Sequence, residues 1–212
     1  MSDVTLAGLS DWLTRAQRSI TENRDHLTAL DSAIGDADHG SNLTRGFDAI
    51  VARLADEPPV TISSLLQTSG MTLVSTVGGA SGPLYGTFFL RMAKAIGDED
   101  GATAAQLGEA LRAGLEGVVS RGKAEVGDKT MIDALDPAVA AFQAGIEGGD
   151  DAARAAAEAA SAAANGRDAT EPLVARKGRA SYLGERSAGH IDPGSASVTL
   201  LLEALAAALN TG

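Results

Sequence analysis

Apolar residues recur along this chain at the three-and-four spacing of amphipathic helices, from near its first residue to near its last. Leu6, Leu9, Leu13, Ala16 and Ile20 make one stripe. Phe47, Ile50, Val51 and Leu54 make a second, and Ile62, Leu65, Leu66, Leu73 and Val77 a third. The pattern predicts further helices over 83–96, 103–121, 131–147, 150–165 and 194–210, the last carrying Val198, Leu201, Leu202, Leu205 and Leu209 on one stripe. Segment 151–164 is almost entirely Ala, a composition of high helix propensity and little bulk, which suits a helix pressed closely against its neighbours. No alternating run bounded by hairpin turns suggests a sheet. Neither an internal repeat nor an interdomain linker interrupts the pattern, so residues 1–212 are expected to form a single domain.

Composition agrees with an all-α fold. Hydrophobic residues are 44% of the chain but aromatics only 3%, so the core must be built from Ala, Leu, Val and Ile, which favours close-packed helices over a β-sandwich. The net charge of -11 argues against a nucleic-acid partner. There is no cysteine, which excludes disulfides, thiolate metal sites and a Cys nucleophile. No apolar run reaches about 18 residues, so a membrane span is not expected. The opening Met1-Ser2-Asp3-Val4-Thr5 does not read as a signal peptide, and a cytoplasmic location is expected.

The loops are of two kinds. Asp56-Glu57-Pro58-Pro59 and Asp98-Glu99-Asp100-Gly101 are ordinary polar connectors. Ile34-Gly35-Asp36-Ala37-Asp38-His39-Gly40-Ser41-Asn42, with Asp31 just upstream, is different, because it packs three carboxylates into a few residues. Like charges this close repel, and a helix cap needs only one of them. At about 100° per residue Asp31 and Asp38 share a helical face while Asp36 points away. The three converge only if a helix ends near Gly35 and the chain turns, for which Gly35 and Gly40 are suitable residues. An EF-hand is excluded because Phe47 stands where its bidentate Glu is needed. An all-oxygen site for Mg²⁺ fits better, since Mg²⁺ takes few carboxylates and completes its shell with phosphate and water. The segment from His39 can open the next helix, whose free N–H groups favour an anion.

Three more loops carry polar chemistry. Val77-Gly78-Gly79-Ala80-Ser81-Gly82-Pro83 joins two predicted helices, with Pro83 suited to the first helical position and Gly82 to the cap. It is neither a P-loop, lacking the Lys-Ser/Thr pair, nor a Rossmann fingerprint, lacking a preceding strand. Residues 120–131 are polar and punctuated by glycine. Residues 175–194 have no clean period, and a loop of that length suggests a lid or binding loop. Between 174 and 187 it carries Arg176, Lys177, Arg179 and Arg186 against Glu185, a local +3 that suits a polyphosphate.

Taken together, these segments resemble the nucleotide-binding L subunit of dihydroxyacetone kinases. The runs that carry the resemblance are Ile34 to Gly40 with Asn42 and Arg45-Gly46-Phe47, then Gly78 to Leu84 with Gly86-Thr87-Phe88-Phe89. Arg121 to Glu125 with Gly127 to Met131 and finally Ala175 to Gly194 continue it. The four motifs stand in order across nearly the whole chain, and the Ala-rich 151–170 is the part least like the family. The resemblance implies an antiparallel helical barrel of about eight helices with the nucleotide site at one end. It implies that Asp31, Asp36 and Asp38 hold two Mg²⁺ ions on the phosphates of ADP or ATP. It implies nucleotide contacts from His39, Gly40, Ser41, Asn42, Ala80, Ser81, Gly122, Met131, Arg179, Asp192, Pro193 and Gly194.

The reaction so implied is phosphoryl transfer to a ketose held covalently on a partner subunit, with Arg179 placed by the basic loop to stabilise charge on the transferring group. Because 212 residues leave no room for the substrate domain, the phosphoenolpyruvate-dependent mode is expected, in which a phosphocarrier protein recharges bound ADP. The family also implies a transcriptional regulator as a further partner. Alternatives are an ATP-dependent kinase subunit for another small ketose, the nucleotide module of a fatty-acid kinase, a nucleotide-dependent regulator, and a Mg²⁺-stabilised scaffold without catalysis.

Overall fold

The computed structural model describes residues 4–98 and 101–210; Met1 to Asp3 of the opening segment and Glu99-Asp100 of the second connector lie outside the described residues. The described chain is all-α apart from one minimal strand pair. The helices are α1 (Leu6–Glu22), α2 (Arg24–Ile34), α3 (His39–Asp56), α4 (Ile62–Thr76), α5 (Ser81–Ile96), α6 (Ala104–Gly122), α7 (Ile132–Glu147), α8 (Ala152–Ala169) and α9 (Pro193–Leu209). A 3-10 segment, Arg179–Ser187, interrupts the connection from α8 to α9. Strands β1 (Val4–Thr5) and β2 (Gly101–Ala102) pair antiparallel, Val4 opposite Ala102. Two residues are too few to show an alternating pattern, which is why periodicity alone gave no strand.

Side-chain caps fix several helix starts. Thr61 and Thr103 each accept from the backbone N–H three residues on, and Ser64 and Gln106 return the bond, forming capping boxes for α4 and α6. Two elements depart from the sequence expectation. Helix α2 buries only Leu27, Asp31 and Ile34, so its stripe contains a carboxylate where an apolar residue would have marked it. Helix α5 begins at Ser81 and places Pro83 inside its first turn. Proline costs nothing there, because the N–H groups of the first turn have no intrahelical partner.

Neighbour contacts run from α1 to α3, α4, α5, α6, α7, α8 and α9, and α9 returns to α1; α2 packs on α3. The buried core is mostly aliphatic, with Trp12, Phe47, Phe88, Phe89 and Phe142 as its large members. Trp12 stacks obliquely on Phe89 at 5.6 Å between ring centres, and its indole N–H donates to the Leu201 carbonyl at 2.8 Å, tying α1 to α9. Among the described residues no helix is long and apolar enough to cross a membrane.

The Ala-rich segment is helix α8, with Ala155, Ala156, Ala159 and Ala163 buried. Small side chains let it approach α7 closely. The tightest point is Gly166, where a Cβ would stand 2.1 Å from the Asp133 carbonyl oxygen. That carbonyl lies four residues before Pro137, which has no N–H to give it. Gly166→Ala is therefore expected to destabilise the fold by about 1–3 kcal/mol through forced backbone separation. Urea denaturation checks this, and an unchanged midpoint would show that α7 and α8 separate freely.

Candidate functional site

The turn between α2 and α3 shows how the acidic cluster is built. Helix α2 stops at Ile34, and Asp31 in its last turn folds its carboxylate over the start of α3. Asp31 Oδ2 accepts from the backbone N–H of Asp38 at 2.9 Å and of His39 at 3.1 Å. Asp38, the residue in the N-cap position of α3, makes no side-chain cap bond itself. Asp31 does that work from the preceding helix. Gly35 makes this possible, since a Cβ there would stand 2.0 Å from Asp31 Oδ1. The left-handed residue of the turn is Ala37, at φ 63°, and not either of the expected glycines. Gly40 lies within α3, its Cα against the Arg24 carbonyl of α2. As a result Asp31, Asp36 and Asp38 each offer a carboxylate oxygen within 4.8 Å of the others. Asp31 is buried, Asp38 half-buried and Asp36 exposed.

A hard, all-oxygen donor set at this spacing fits a divalent cation, and Mg²⁺ in particular, which keeps room for waters and phosphate oxygens. One guanidinium already faces the cluster: Arg179 Nη2 lies 3.0 Å from Asp36 Oδ2.

His39 links this turn to two other helices. Its ring is buried, with Nε2 2.9 Å from Ser197 Oγ and Nδ1 3.3 Å from Ser81 Oγ. Ser197 has one proton, and it donates to the Gly194 carbonyl at 3.0 Å. Its oxygen also lies 2.7 Å from the Tyr85 hydroxyl and 2.9 Å from His39 Nε2, so the three side chains form one buried hydrogen-bonded group. Burial holds His39 below its ordinary pKa against the opposing charges of Asp31 and Asp38 and a backbone bond with Pro193. Burial also pushes Tyr85 well up, which keeps its proton in place.

The remaining walls come from the two other polar loops and the start of α9. Asp133 Oδ1 accepts from Gly127 N at 2.5 Å and its Oδ2 from Thr130 N at 2.7 Å, which winds residues 127–130 against the start of α7. Asp128 Oδ2 accepts from Glu125 N at 3.0 Å, and its carbonyl accepts from Arg176 N at 3.1 Å. The 175–194 loop is more ordered than its lack of period suggested. Its 3-10 turns are held by Ser187 Oγ, which accepts from Ala175 N at 2.8 Å and donates to the Gly184 carbonyl at 2.6 Å. Such Ser/Gly turn bonds leave no apolar repeat in the sequence. At the start of α9, Asp192 caps Ser195 N at 2.6 Å, with Pro193 in the first turn. The described non-glycine residues with positive φ are Ala37, Lys123 and Lys129, all in these loops, so backbone strain is concentrated here.

These parts enclose a cavity of about 470 Å³. Among the residues expected to bind nucleotide or metal, Asp31, Asp36, Asp38, His39, Ala80, Ser81, Gly122, Met131, Arg179, Asp192, Pro193 and Gly194 line it. Gly40, Ser41 and Asn42 do not: Ser41 bonds back to the Asp38 carbonyl, and Asn42 accepts from Arg45. The walls also include residues that sequence reasoning did not single out. Ile34, Leu84, Val118 and Ile132 give an apolar side, and Tyr85 and Lys129 add polar groups; Lys177, from the basic run already noted, stands with them. Leu84, Val118 and Ile132 fall inside predicted helices and Ile34 opens the acidic run; nothing in their spacing separates a cavity wall from packing. Charged lining residues are balanced, with Asp31, Asp36, Asp38 and Asp192 against Arg121, Lys129, Lys177 and Arg179. The first turn of α5 has no side-chain cap and opens at Ala80 and Ser81, which suits an anion.

Comparison with known proteins finds one family. Residues 33–207 match the DAK2 domain family. The chain is 46% identical over 198 residues to the PEP-dependent dihydroxyacetone kinase, ADP-binding subunit DhaL, of Escherichia coli strain K12, covering 93% of this chain and 94% of that one. It is 42% identical to the PTS-dependent dihydroxyacetone kinase, ADP-binding subunit DhaL, of Lactococcus lactis, covering 95% and 97%. Among solved structures it is similar to the dihydroxyacetone kinase of C. freundii in complex with AMP-PNP and Mg²⁺, at TM-score 0.72 and 29% identity. That match covers 95% of this chain and 33% of the longer one.

The cavity's own electrostatics give a testable consequence. Burial raises Asp192 from 3.8 to about 7; the Ser195 N–H and Lys129 oppose the rise, and Asp133 and Asp31 add to it. The folded carboxyl therefore holds its proton more tightly than the unfolded one. Its contribution to stability is greatest below about pH 4 and is lost as pH rises through 7. Asp192→Asn keeps an oxygen for Ser195 N but does not ionise. In urea denaturation without nucleotide, the variant is expected to gain on the parent by roughly 1–3 kcal/mol between pH 5 and pH 8. A gain in the opposite direction would contradict the assignment.

Proposed function

The chain belongs to the DAK2 domain family, and from that premise we propose that it is the ADP-binding subunit of a dihydroxyacetone kinase, a phosphotransferase. The observation that carries this reading is the convergence of Asp31, Asp36 and Asp38 within 4.8 Å on the wall of a cavity that also presents Arg179 and the uncapped start of α5. The names of the relatives, the AMP-PNP and Mg²⁺ in the similar structure, and the oxygen-only donor set all support a Mg²⁺–nucleotide site.

In this reading Asp31, Asp36 and Asp38 hold two Mg²⁺ ions. Bound Mg²⁺ supplies neutralisation of phosphate charge, which is most of what phosphoryl transfer asks of a protein besides alignment. The α5 start at Ala80 and Ser81 and Gly194 at the α9 start offer backbone N–H groups to phosphate, while Pro193, which has none, shapes the first turn of α9. Gly122 and Met131, beside Leu84, Val118 and Ile132, form the apolar side suited to a base. His39 orients Ser81 through the hydrogen bond between its Nδ1 and the Ser81 hydroxyl. Gly40, Ser41 and Asn42 serve by fixing the start of α3. Arg179 stabilises charge on the transferring group, within reach of the metal ligand Asp36.

No side chain of the cavity is required to activate the acceptor. The designation of the relatives as subunits supports a ketose bound on a partner protein, covalently in this proposal. Their designation as PEP- and PTS-dependent supports a phosphocarrier protein that recharges ADP in place.

Calorimetry with ADP is the direct test. The parent is expected to bind ADP in Mg²⁺, and EDTA or Asp36→Ala to weaken binding by roughly 100-fold, about 2.7 kcal/mol. Mass analysis of the purified chain should find ADP with Mg²⁺ carried through dialysis. Equal ADP affinity with and without Mg²⁺ would sink the reading, and a chain in which Asp36→Ala lowers only stability would be a scaffold.

A further inference from the structure

The most buried charge near the cavity belongs to a residue with no place in the reading above. Lys129 is 1% exposed, and among the described residues no carboxylate lies within ion-pair distance of its ammonium. It donates instead to four backbone carbonyls: Thr170 at 2.7 Å, Leu173 at 3.1 Å, Glu171 at 3.2 Å, and His190. An ammonium has three protons, so four acceptors account for all of them and none is left for a ligand.

The four carbonyls are placed with purpose. Thr170, Glu171 and Leu173 form the turn that leaves α8 and enters the basic loop. His190 lies at the exit of that loop, two residues before the cap of α9. The same two ends are bonded to each other: Gly189 N donates to the Glu171 carbonyl at 2.8 Å and Asp192 N to Thr170 Oγ1 at 3.0 Å. Between them runs the stretch that brings Lys177 and Arg179 to the cavity. Lys129 itself is held in a left-handed conformation, φ 63°, between Asp128 and the Asp133-capped turn. A buried, strained lysine costs free energy, which its surroundings must offset.

We propose that Lys129 is a positioning residue: its ammonium acts as a built-in cation in a carbonyl cage that clips shut the base of the 174–189 loop. Arg179 is held beside Asp36 through that clip, and nucleotide affinity depends on Lys129 without contact between them. The dependence on nucleotide rests on the function proposed above; the clip itself does not.

Two measurements on the nucleotide-free full chain test the clip alone. In the parent, nitrogen-detected NMR of lysine ammonium groups should show one slowly exchanging signal, lost in Lys129→Met. Hydrogen exchange in Lys129→Met should accelerate at least tenfold for amides 174–189 while α4 and α5 keep their protection. Lys129→Ala should show the same loop opening and be partly restored by ammonium chloride, but not by sodium chloride at equal ionic strength. Unchanged loop exchange, uniform loss of protection across all helices, or absence of a protected ammonium in the parent would each overturn the clip. Calorimetry adds the second arm, with ADP–Mg²⁺ affinity expected to fall about tenfold in Lys129→Met and to recover with ammonium in Lys129→Ala. Affinity lost while loop exchange stays unchanged would make Lys129 a direct ligand contact and refute the positioning role. A parent that binds no ADP would refute the nucleotide reading and leave the exchange result standing.

Discussion

One carboxylate does two things in this molecule, and the rest of the site depends on it. Asp31 closes the start of α3 by accepting from the N–H groups of Asp38 and His39, and it remains one of three acidic groups that share a few ångströms. Three like charges at that distance repel, so the fold must hold at least one of them by something other than a metal. The N-terminus of α3 supplies it, through two hydrogen bonds and the positive end of the helix dipole. Gly35 lets the carboxylate fold over, and Ala37 takes up the left-handed turn at a cost of about 1–2 kcal/mol. Once α3 starts where Asp31 puts it, His39 is fixed, and through Ser197 and Ser81 so are the starts of α9 and α5.

Electrostatics then decide what the cavity accepts. Its acidic and basic side chains balance within a chain of net charge -11. A polyphosphate adds several negative charges to a wall that already holds four aspartates, an arrangement that needs divalent cations to become favourable. The basic residues are not spread evenly for this purpose. Lys129 has its protons committed to carbonyls, whereas Arg179 and Lys177 stand on the loop that forms one side of the opening. Arg179 is thus the cation of that loop that meets the acidic cluster, through Asp36.

How much of this was legible in the chain follows from what each feature depends on. Long helices with apolar stripes, such as α1 and α9, announce themselves through a 3.6 period. The acidic cluster is visible because a helix cap accounts for only one of its three carboxylates. Helix α2 was harder to see because a site residue, Asp31, occupies its buried stripe. Ala37 and Lys129 were invisible for a common reason: their roles lie in a backbone angle and in backbone carbonyls, neither of which depends on side-chain identity along the sequence. A lysine in a polar, glycine-punctuated loop reads as solvated until the fold brings Thr170 and His190 around it.

That cage also explains why a lysine, and not an ion pair, stands there. The chain leaves α8 at its negative end and, after the basic loop, enters α9 at its positive end. Thr170, at the C-cap of α8, has its carbonyl bonded to the Lys129 ammonium; Asp192, at the N-cap of α9, has its carboxylate bonded to Ser195 N. The Lys129 ammonium has the sign its helix end favours, and Asp192 opposes the fall in the Lys129 pKa that burial causes. An Asp–Lys contact alone would tie two side chains together. Routing the ammonium through four carbonyls ties together the two backbone segments that must stay adjacent for Arg179 and the α9 start to face the same cavity.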